Sequence, residues 1–557
     1  MDVRTAPDLL KYAVEVRRKP NAFLVKREGA WEPVPIDEVA QKVSAMARQL
    51  RARGLGKGDR VAILAESRLE WGMADLAILA AGGVTVPIYP TLPANQVAPL
   101  LADSGAVGAF TSSAEQRAKL EEARTAGAPG LRWIHAFDEE PWPAALPGAV
   151  DPAVPLHPDD LATIIYTSGT TGSPKGVMLT HGNIVSEVLL ALQAMQLRTD
   201  DTYLSFLPIS HIYERTNGLF TMLYAGVTIA YAESFQALSQ NLREVKPTIV
   251  LSVPRMYEKV LAGADERAAG AGFPTRPLWR WARRVAIEWA TCHVEGRGVP
   301  PLLALQHALA SRIVFRKLIA GFGGRTRLRV SGGAALHREV ALFFYGCGLP
   351  IFEGYGLTET SSGISVNAFG KHKVGTVGPL FRNIDVTFAA DGEILIRGPV
   401  VMKGYWQKPE ATAEVIRDGW FHSGDIGEMD ADGYLRITDR KKDIIVTSGG
   451  KKVAPQALEG ALKASPRIAE ALVVGEGEKF IAALIAPAEG ATREQVAEEV
   501  ERVNASLAQF EQIKKFALIP NDLTVESGLM TPSLKLKRKA VIERHRDVVA
   551  GLFAGGA

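Results

Sequence analysis

Cysteine is almost missing. Cys292 and Cys347, two among 557 residues, are too few for a disulfide framework and lack the CxxC spacing of a metal knuckle, which points to a reducing cytoplasm. Charge of one sign is missing too. The 64 lysines and arginines against 61 acids leave +3, too even a balance for a chain that coats nucleic acid. No long hydrophobic run is present. The N-terminal MDVRTAPDLLKYAVEVRRKP lacks an apolar signal-peptide core. The charge-free stretch from Leu76 to Ala102 is broken by Pro87, Pro90, Pro93 and Pro99. Thr216 to Ala232 spans 17 residues with two glycines, short of the roughly 20 that a membrane span needs. No transmembrane helix is expected. HExxH, GxSxG and a Cys/His nucleophile pair are also absent from the sequence.

What remains is ample core material, 47% hydrophobic with 22% charged residues, enough for about three or four domain-sized units and unlike a disordered or collagenous chain. Short apolar runs alternate with helical stretches: VAILA at Val61, ATIIYTSG at Ala162, PTIVLSV at Pro247, LRVSGG at Leu328 and PIFEGYG at Pro350. That alternation predicts layered α/β sheets with buried, largely parallel strands. Residues 129–158 carry seven prolines and read as an irregular surface connection. Beyond about residue 440 the pattern changes to two-residue periodicity (YLRIT, EALVV, FIAALI), a charged helix from about Thr492 and a basic tail. The expected division is a large domain over 1–441 and a small α+β domain over 442–557.

The most informative stretch runs from Ile164 to Gly176, IIYTSGTTGSPKG. An apolar strand enters it and an amphipathic segment from Asn183 leaves it. Gly169, Gly172 and Gly176 let backbone N–H groups converge on an anion, the hydroxyls of Thr167, Ser168, Thr170 and Thr171 add donors, and Lys175 adds a positive charge for phosphate oxygens. The spacing is not that of a Walker A loop, because Lys175 follows proline and precedes glycine.

YTSGTTGSPKGVMLTHGN resembles the phosphate loop of the AMP-forming adenylating enzymes, the superfamily of acyl-CoA synthetases, adenylation domains and luciferases. Further matches follow in the family's order: LPISHIYER from Leu207, SGGAAL from Ser331, GYGLTET from Gly354, DGWFHSGDIG from Asp418, ITDRKKDIIVTSGG from Ile437 and TPSLKLKR from Thr531. Within the superfamily the sequence is most similar to the long-chain fatty acid:CoA ligase branch. Two positions depart from that pattern: Ser423 stands where threonine is common, and Val446 where many long-chain members carry lysine, with Lys451 or Lys452 as possible substitutes.

The resemblance implies ATP, Mg²⁺ and CoA as reactant, metal and co-substrate, and a fatty acid as the acid. It implies Lys535 as the lysine that bridges carboxylate and α-phosphate, Glu359 with Thr167 as Mg²⁺ ligands, and His211 beside the acyl carboxylate in a positioning role. The nucleotide falls to Thr167, Ser168, Gly169, Thr170, Thr171, Gly172 and Lys175, to Gly333 and Ala334 after Gly332, and to Glu353, Gly354, Tyr355, Gly356 and Thr358. Asp425, joined by Arg440, is placed at the ribose hydroxyls. Lys442 is the implied hinge about which the small domain rotates, bringing Ser448, Gly449 and Gly450 to the CoA tunnel. Taken one at a time these residues have plainer readings: Lys535 lies in a cluster with Lys537, Arg538 and Lys539, Asp425 follows a turn-prone glycine, and an isolated histidine is more often a core residue. Two rivals stand beside the ligase, an acyl-adenylating enzyme that loads a carrier protein and a catalytically silent acyl or nucleotide sensor.

One region is left over. Between Thr275 and Val330 eleven lysines and arginines face two acids, Glu288 and Glu295, with Trp279, Trp281 and Trp289 interleaved. Such a stretch suits either a peripheral contact with anionic lipid or a solvated helical hairpin whose tryptophans turn inward. A homodimer is compatible with the sequence, and no nucleic-acid partner is expected.

Overall fold

The computed structural model describes residues 2–144, 154–167, 174–505, 507–525, 527–531 and 535–554. It is a mixed α/β molecule with a large N-terminal part and a smaller C-terminal domain. Two sheets dominate the large part. The first has seven strands in the order 404–405, 175–180, 161–167, 84–88, 60–64, 108–111 and 133–136. The second has eight, ordered 365–366, 352–355, 328–331, 249–252, 202–205, 228–231, 23–27 and 30–34.

Successive residues along their central strands enter different apolar clusters, as a strand covered on both faces requires. Val61 and Ile63 face inward with Tyr203, Ile229, Ile249 and Leu251 of the second sheet, while Ala62 and Leu64 face the helices 94–104 and 114–127. On the second sheet Leu204, Ala230 and Val250 face the other way, toward helices 254–270, 275–294 and 301–310. Helices 36–52, 69–80 and 181–195 fill the space between the sheets. Five layers result, helix, sheet, helix, sheet, helix. Helix 181–195 starts two residues before Asn183 because Thr180 and Asn183 form a reciprocal capping box.

The proline-rich stretch is not wholly irregular. Its apolar run Trp133–Ala136 adds a parallel edge strand to residues 108–111, and the prolines only flank it. Residues 145–153 lie outside the described part.

A third sheet of strands 385–388, 393–397, 420–429, 416–417 and 435–440 leads to the small domain. From Ile445 onward the chain builds its own core on strands 468–474, 481–487 and 513–518. One face of this sheet (Ala471, Val473, Ile481, Ala483) covers the hairpin residues Ile445 and Val453, and the other (Leu472, Val474, Ala482, Leu484) covers Leu529 and Met530. The charged helix spans Arg493–Asn504 with Thr492 as its cap.

A π-helical segment, Glu214–Thr221, ties the two large sheets together. Arg215 and Asp75, both wholly buried, form a bidentate pair at 2.8 and 2.6 Å, and Arg215 also donates to Thr163 Oγ1 at 2.7 Å. The neighbouring Glu214 points the other way and accepts from Ser205 Oγ at 2.6 Å and from the Tyr203 hydroxyl at 2.7 Å. With no cation beside it, burial pushes the Glu214 carboxyl from its ordinary 4.5 up to about 7. The sign of the linkage follows. As pH rises from 4.5 to about 7 the unfolded chain releases a proton that the folded chain keeps, so stability falls across that window. The loss above it is at most about 3 kcal/mol. Glu214→Gln, which keeps the shape and an acceptor, is therefore expected to raise the calorimetric melting temperature over wild type at about pH 8 and to leave it nearly unchanged at about pH 5. Equal shifts at both pH values would refute the neutral carboxyl.

Candidate active site

Strands deliver the motif residues to one place. Residues 161–167, 202–205, 328–331 and 352–355 all end toward the same edge of the layered domain, and the loops that follow carry Lys175, His211, Gly333–Ala334 and Tyr355–Glu359. Carboxyl ends of α/β strands are where such folds bind ligands, because side chains and N–H groups there are free of the ladder. Of the phosphate loop, Ser168, Gly169, Thr170, Thr171 and Gly172 lie outside the described residues. Its two stems are described: Thr167 Oγ1 reaches the Lys175 carbonyl at 3.5 Å, and the Lys175 ammonium sits 4.9 Å from the centre of the Tyr405 ring.

Tyr405 carries the link onward, for its hydroxyl donates to Glu359 Oε1 at 3.0 Å. No motif marked this tyrosine. It arrives on the short strand 404–405, which pairs with residues 177–178 of the strand leaving the phosphate loop. Glu359 lies on a single 3₁₀ turn, Thr358–Thr360, and its recessed carboxyl is pushed above the ordinary 4.5, with Tyr405 and Arg440 opposing the rise. Gly356 is needed for packing rather than for a ligand. A Cβ there would fall 1.7 Å from the Ser362 carbonyl oxygen, so only glycine allows the turn to fold back on itself. Gly354 lies against Val366, and Glu353 accepts from the Leu336 N–H at 3.3 Å, with burial pushing its carboxyl up to about 7. Gly333, at φ +80°, and Ala334 form an exposed tip beyond strand 328–331.

Asp425 is buried and carries two charge-oriented bonds. The Tyr355 hydroxyl donates to its Oδ2 at 2.7 Å, and Arg440 Nε to its Oδ1 at 3.1 Å. Strands 420–429 and 435–440 make this pairing automatic, since Asp425 and Arg440 are cross-strand partners. Ser423, the first departure from the family pattern, keeps the hydroxyl's work: it accepts from the Asp425 N–H at 3.1 Å and donates to the Ile394 carbonyl at 2.7 Å. Glu393 was not foreseen either. It accepts from the Gly424 N–H at 3.0 Å and from Lys441 at 2.9 Å, holding the strand that presents Asp425.

Lys535 comes from the small domain, on a turn closed by Thr531, whose Oγ1 accepts from the Lys535 N–H at 3.0 Å. Its ammonium interacts with Arg440 and Asp425 of the large domain and with His211. The side chain is exposed as a whole, yet partial desolvation of the ammonium first, and the Arg440 charge second, hold its pKa below the ordinary 10.5, with Asp425 opposing them. His211 is pushed down from 6.5 to about 4, by burial first and Lys535 second. Its Nδ1 accepts from the Tyr213 N–H at 3.2 Å, which leaves the proton on Nε2. His211 is thus a neutral Nε2–H donor at physiological pH, suited to orient an anion and unable to supply a second proton.

The closed arrangement rests on further contacts across the junction. Arg255 of the large domain meets the buried Glu470 of the small one, which Lys463 also approaches at 3.6 Å. Beside the Lys442 position, Asp439 accepts from the Gln456 N–H at 3.3 Å, and burial pushes its carboxyl up to about 6. The turn Ser448–Gly450 is exposed, and a Cβ on Gly450 would meet nothing within 4 Å. Val446 is 37% exposed, while Lys451 lies over the Phe510 ring at 5.8 Å within the small domain. Among the described residues no group of three or more His, Cys, Asp or Glu side chains could hold a metal ion by itself.

Comparison with known proteins agrees with this architecture. The chain belongs to the AMP-binding enzyme family, whose model matches residues 13–406, while the family's C-terminal domain matches 442–556. It is 39% identical to the long-chain-fatty-acid–CoA ligase FadD15 of Mycobacterium bovis over 96% of this chain and 95% of that protein. It is 29% identical to the peroxisomal long chain acyl-CoA synthetase 7 of Arabidopsis thaliana over 99% and 87% respectively. Its fold is shared with the crystal structure of the anthranilate CoA ligase AuaEII in complex with anthranoyl-AMP, at TM-score 0.78 and 19% identity over 99% of both chains. ATP-bound MatB from Rhodopseudomonas palustris is also similar, at TM-score 0.74 and 24% identity, covering 98% of this chain and 99% of the other.

One replacement tests the Asp425 arrangement directly. Asp425→Asn keeps the shape but removes the charge facing Arg440 and one acceptor, so AMP binding measured by calorimetry is expected to weaken by about tenfold or more. An unchanged affinity would place the nucleotide elsewhere.

Proposed function

We propose that this protein is an ATP-dependent, AMP-forming fatty acid:CoA ligase acting on long-chain acids. One observation supports the reading: the small domain holds Lys535 within electrostatic range of Asp425, Arg440 and His211, near the ends of the strands whose loops hold Lys175 and Glu359. The names of the relatives, long-chain-fatty-acid–CoA ligases and acyl-CoA synthetases, support the same reading.

A fatty carboxylate is ionised at pH 7 and needs no general base. Its obstacle is repulsion, because an anion must attack the α-phosphorus of a polyanionic nucleotide. Cations and N–H donors that align and neutralise the two are what the reaction requires. Lys535 bridges the carboxylate and the α-phosphate in this reading, and the His211 Nε2–H orients the carboxylate. Asp425 accepts from the ribose hydroxyls, Tyr355 flanks the adenine, and Lys175 with the phosphate loop holds the outer phosphates. A new carboxyl O–P bond forms, the bond from the α-phosphorus to the bridging oxygen breaks, and pyrophosphate leaves with the electron pair. Glu359, whose second oxygen is left by Tyr405, and Thr167 fit a hard cation that takes one or two protein oxygens. Mg²⁺ bound there would neutralise phosphate charge.

In the second half-reaction the CoA sulfur attacks the acyl carbon, the acyl C–O(P) bond breaks, AMP departs and the thiol proton goes to solvent. Lys535 has no task in that step. Its turn lies over one face of the small domain's sheet and the Ser448–Gly450 hairpin over the other, so the two cannot serve one site in one pose. Rotation of the domain over 442–557 about Lys442, against the domain over 1–441, exchanges them. The reading extends to a cytoplasmic enzyme that meets its acid at a membrane surface through residues 275–330. A single chain supplies all the residues used, so a homodimer is not required.

Lys535→Ala is expected to lower ATP–pyrophosphate exchange by about a thousandfold or more. It should leave conversion of supplied acyl-AMP and CoA to acyl-CoA within about threefold of wild type. Equal loss of both in a folded variant would sink the two-pose mechanism. Release of AMP with C12–C18 acids, and thioester formation with free CoA rather than a holo-carrier protein, separate the ligase from a carrier-loading enzyme. No pyrophosphate release with any acid would leave only a sensor.

A further inference from the structure

The tryptophans of the cationic region do not make its surface. Trp279 donates to Asp265 Oδ1 at 2.5 Å and packs edge-on to Phe343, and Trp289 stacks on His307 at 4.2 Å. Only Trp281 reaches a surface depression of about 640 Å³, together with Arg276, Pro277, Arg280 and Arg284. The arginines recur at every fourth position and so form one stripe along helix 275–294.

What faces outward instead is leucine. Helix 301–310, which packs beside helix 275–294, buries Leu303 and Ala310 and presents Pro301, Leu302, Ala304, Leu305, Ala308 and Leu309 to solvent, without a charge among them. Leu302 is 67% exposed, Leu305 69% and Leu309 50%, and Ile313 prolongs the line at 41%. Over about twelve residues this stripe is about 18 Å long. Single exposed apolar residues are ordinary, but three leucines on one helix face prolonged by an isoleucine are not. The elements that adjoin the stripe carry cations, Arg276, Arg280 and Arg284 on the neighbouring helix, Arg297 in the connection, and Arg312, Arg316 and Lys317 in the following turns, all exposed. The two nearby acids are already taken, Glu288 by Arg284 at 3.8 Å and Glu295 by Arg297 at 2.7 Å.

We propose that this helix pair docks on an anionic lipid bilayer, with Leu302, Leu305, Leu309 and Ile313 entering the interface and the flanking arginines meeting lipid phosphates. A bilayer supplies both halves of the match, an apolar layer beneath a negatively charged one, at the depth an amphipathic helix reaches. Among the described residues no helix is long and apolar enough to cross a membrane, so the contact is peripheral. Its purpose rests on the ligase reading, since a long-chain acid partitions into the same bilayer, but its test does not.

The full chain is co-sedimented with phosphatidylcholine vesicles made with and without phosphatidylglycerol, at low and high salt. Binding is expected only with the anionic lipid, falling as salt rises. Leu305→Glu with Leu309→Glu, and separately Arg276→Glu with Arg280→Glu and Arg284→Glu, should each weaken it by about tenfold or more. Both variants should keep wild-type melting temperature and turnover on detergent-dispersed acid. The proposal is overturned by absence of binding, by equal binding to neutral vesicles, or by binding that neither variant alters. It is also overturned if light scattering shows a wild-type dimer that Leu305→Glu with Leu309→Glu separates, because the leucines would then cover a second copy. Vesicle binding without any turnover would remove the ligase reading and leave this one standing.

Discussion

Two cations held close together across a domain junction are the constraint on which the site depends. Lys535 lies within electrostatic range of Arg440 and of Asp425, which is bonded to Arg440 alone of the two, and desolvation first with the Arg440 charge second lowers the proton affinity of its ammonium. Such a grouping is costly when it stands by itself and favourable around a polyanion, so the closed pose and a bound nucleotide stabilise one another. The junction contacts fit that balance. Arg255 with Glu470 and Asp439 with Gln456 are few and polar, strong enough to guide closure and weak enough to release it.

The large domain has the opposite character. Its strands are apolar on both faces, and its buried Arg215–Asp75 pair is also bonded to Thr85 and Thr163 of the first sheet, so displacing that sheet would strand a charge without water. The π-helical segment that carries this pair begins three residues after His211. The rigidity of the interior is therefore passed directly to the imidazole, whose tautomer is set by the Tyr213 N–H rather than by any mobile side chain.

Much of this was readable from the chain, for a definite reason. Alternating strands end in loops, and a loop that must approach phosphate needs glycine, hydroxyl and lysine in a fixed local order, so the chemistry leaves a linear trace. The layered α/β class and the buried strands belong to that part, whereas the company of Asp425 and Arg440 was implied by the family resemblance alone and their cross-strand register was not foreseen. Tyr405 and Glu393 left no trace, because each acts on a partner tens or hundreds of residues away and a lone tyrosine or glutamate in a loop is commonplace. The strand Trp133–Ala136 was hidden by prolines that surround it without entering it. The inward turn of Trp279 and Trp289 was one of two readings the sequence left open, since composition cannot say which face of a helix meets the core.

The small domain shows why one site can serve two chemistries without compromise. Its sheet separates two apolar clusters, and each cluster anchors one functional edge: Leu529 and Met530 support the turn of Lys535, while Ile445 and Val453 support the glycine turn. A side-chain switch could not exchange them, because the sheet itself lies between. The proposed rotation of the whole body would, since a body with its own packed core can rotate without losing internal contacts. Ser448–Gly450 is exposed in the pose that sets Lys535 within electrostatic range of Asp425 and Arg440, as this geometry requires. In the proposed mechanism, presenting one edge to the strand ends withholds the other, so the movement that removes Lys535 from phosphorus is the one that admits a thiol.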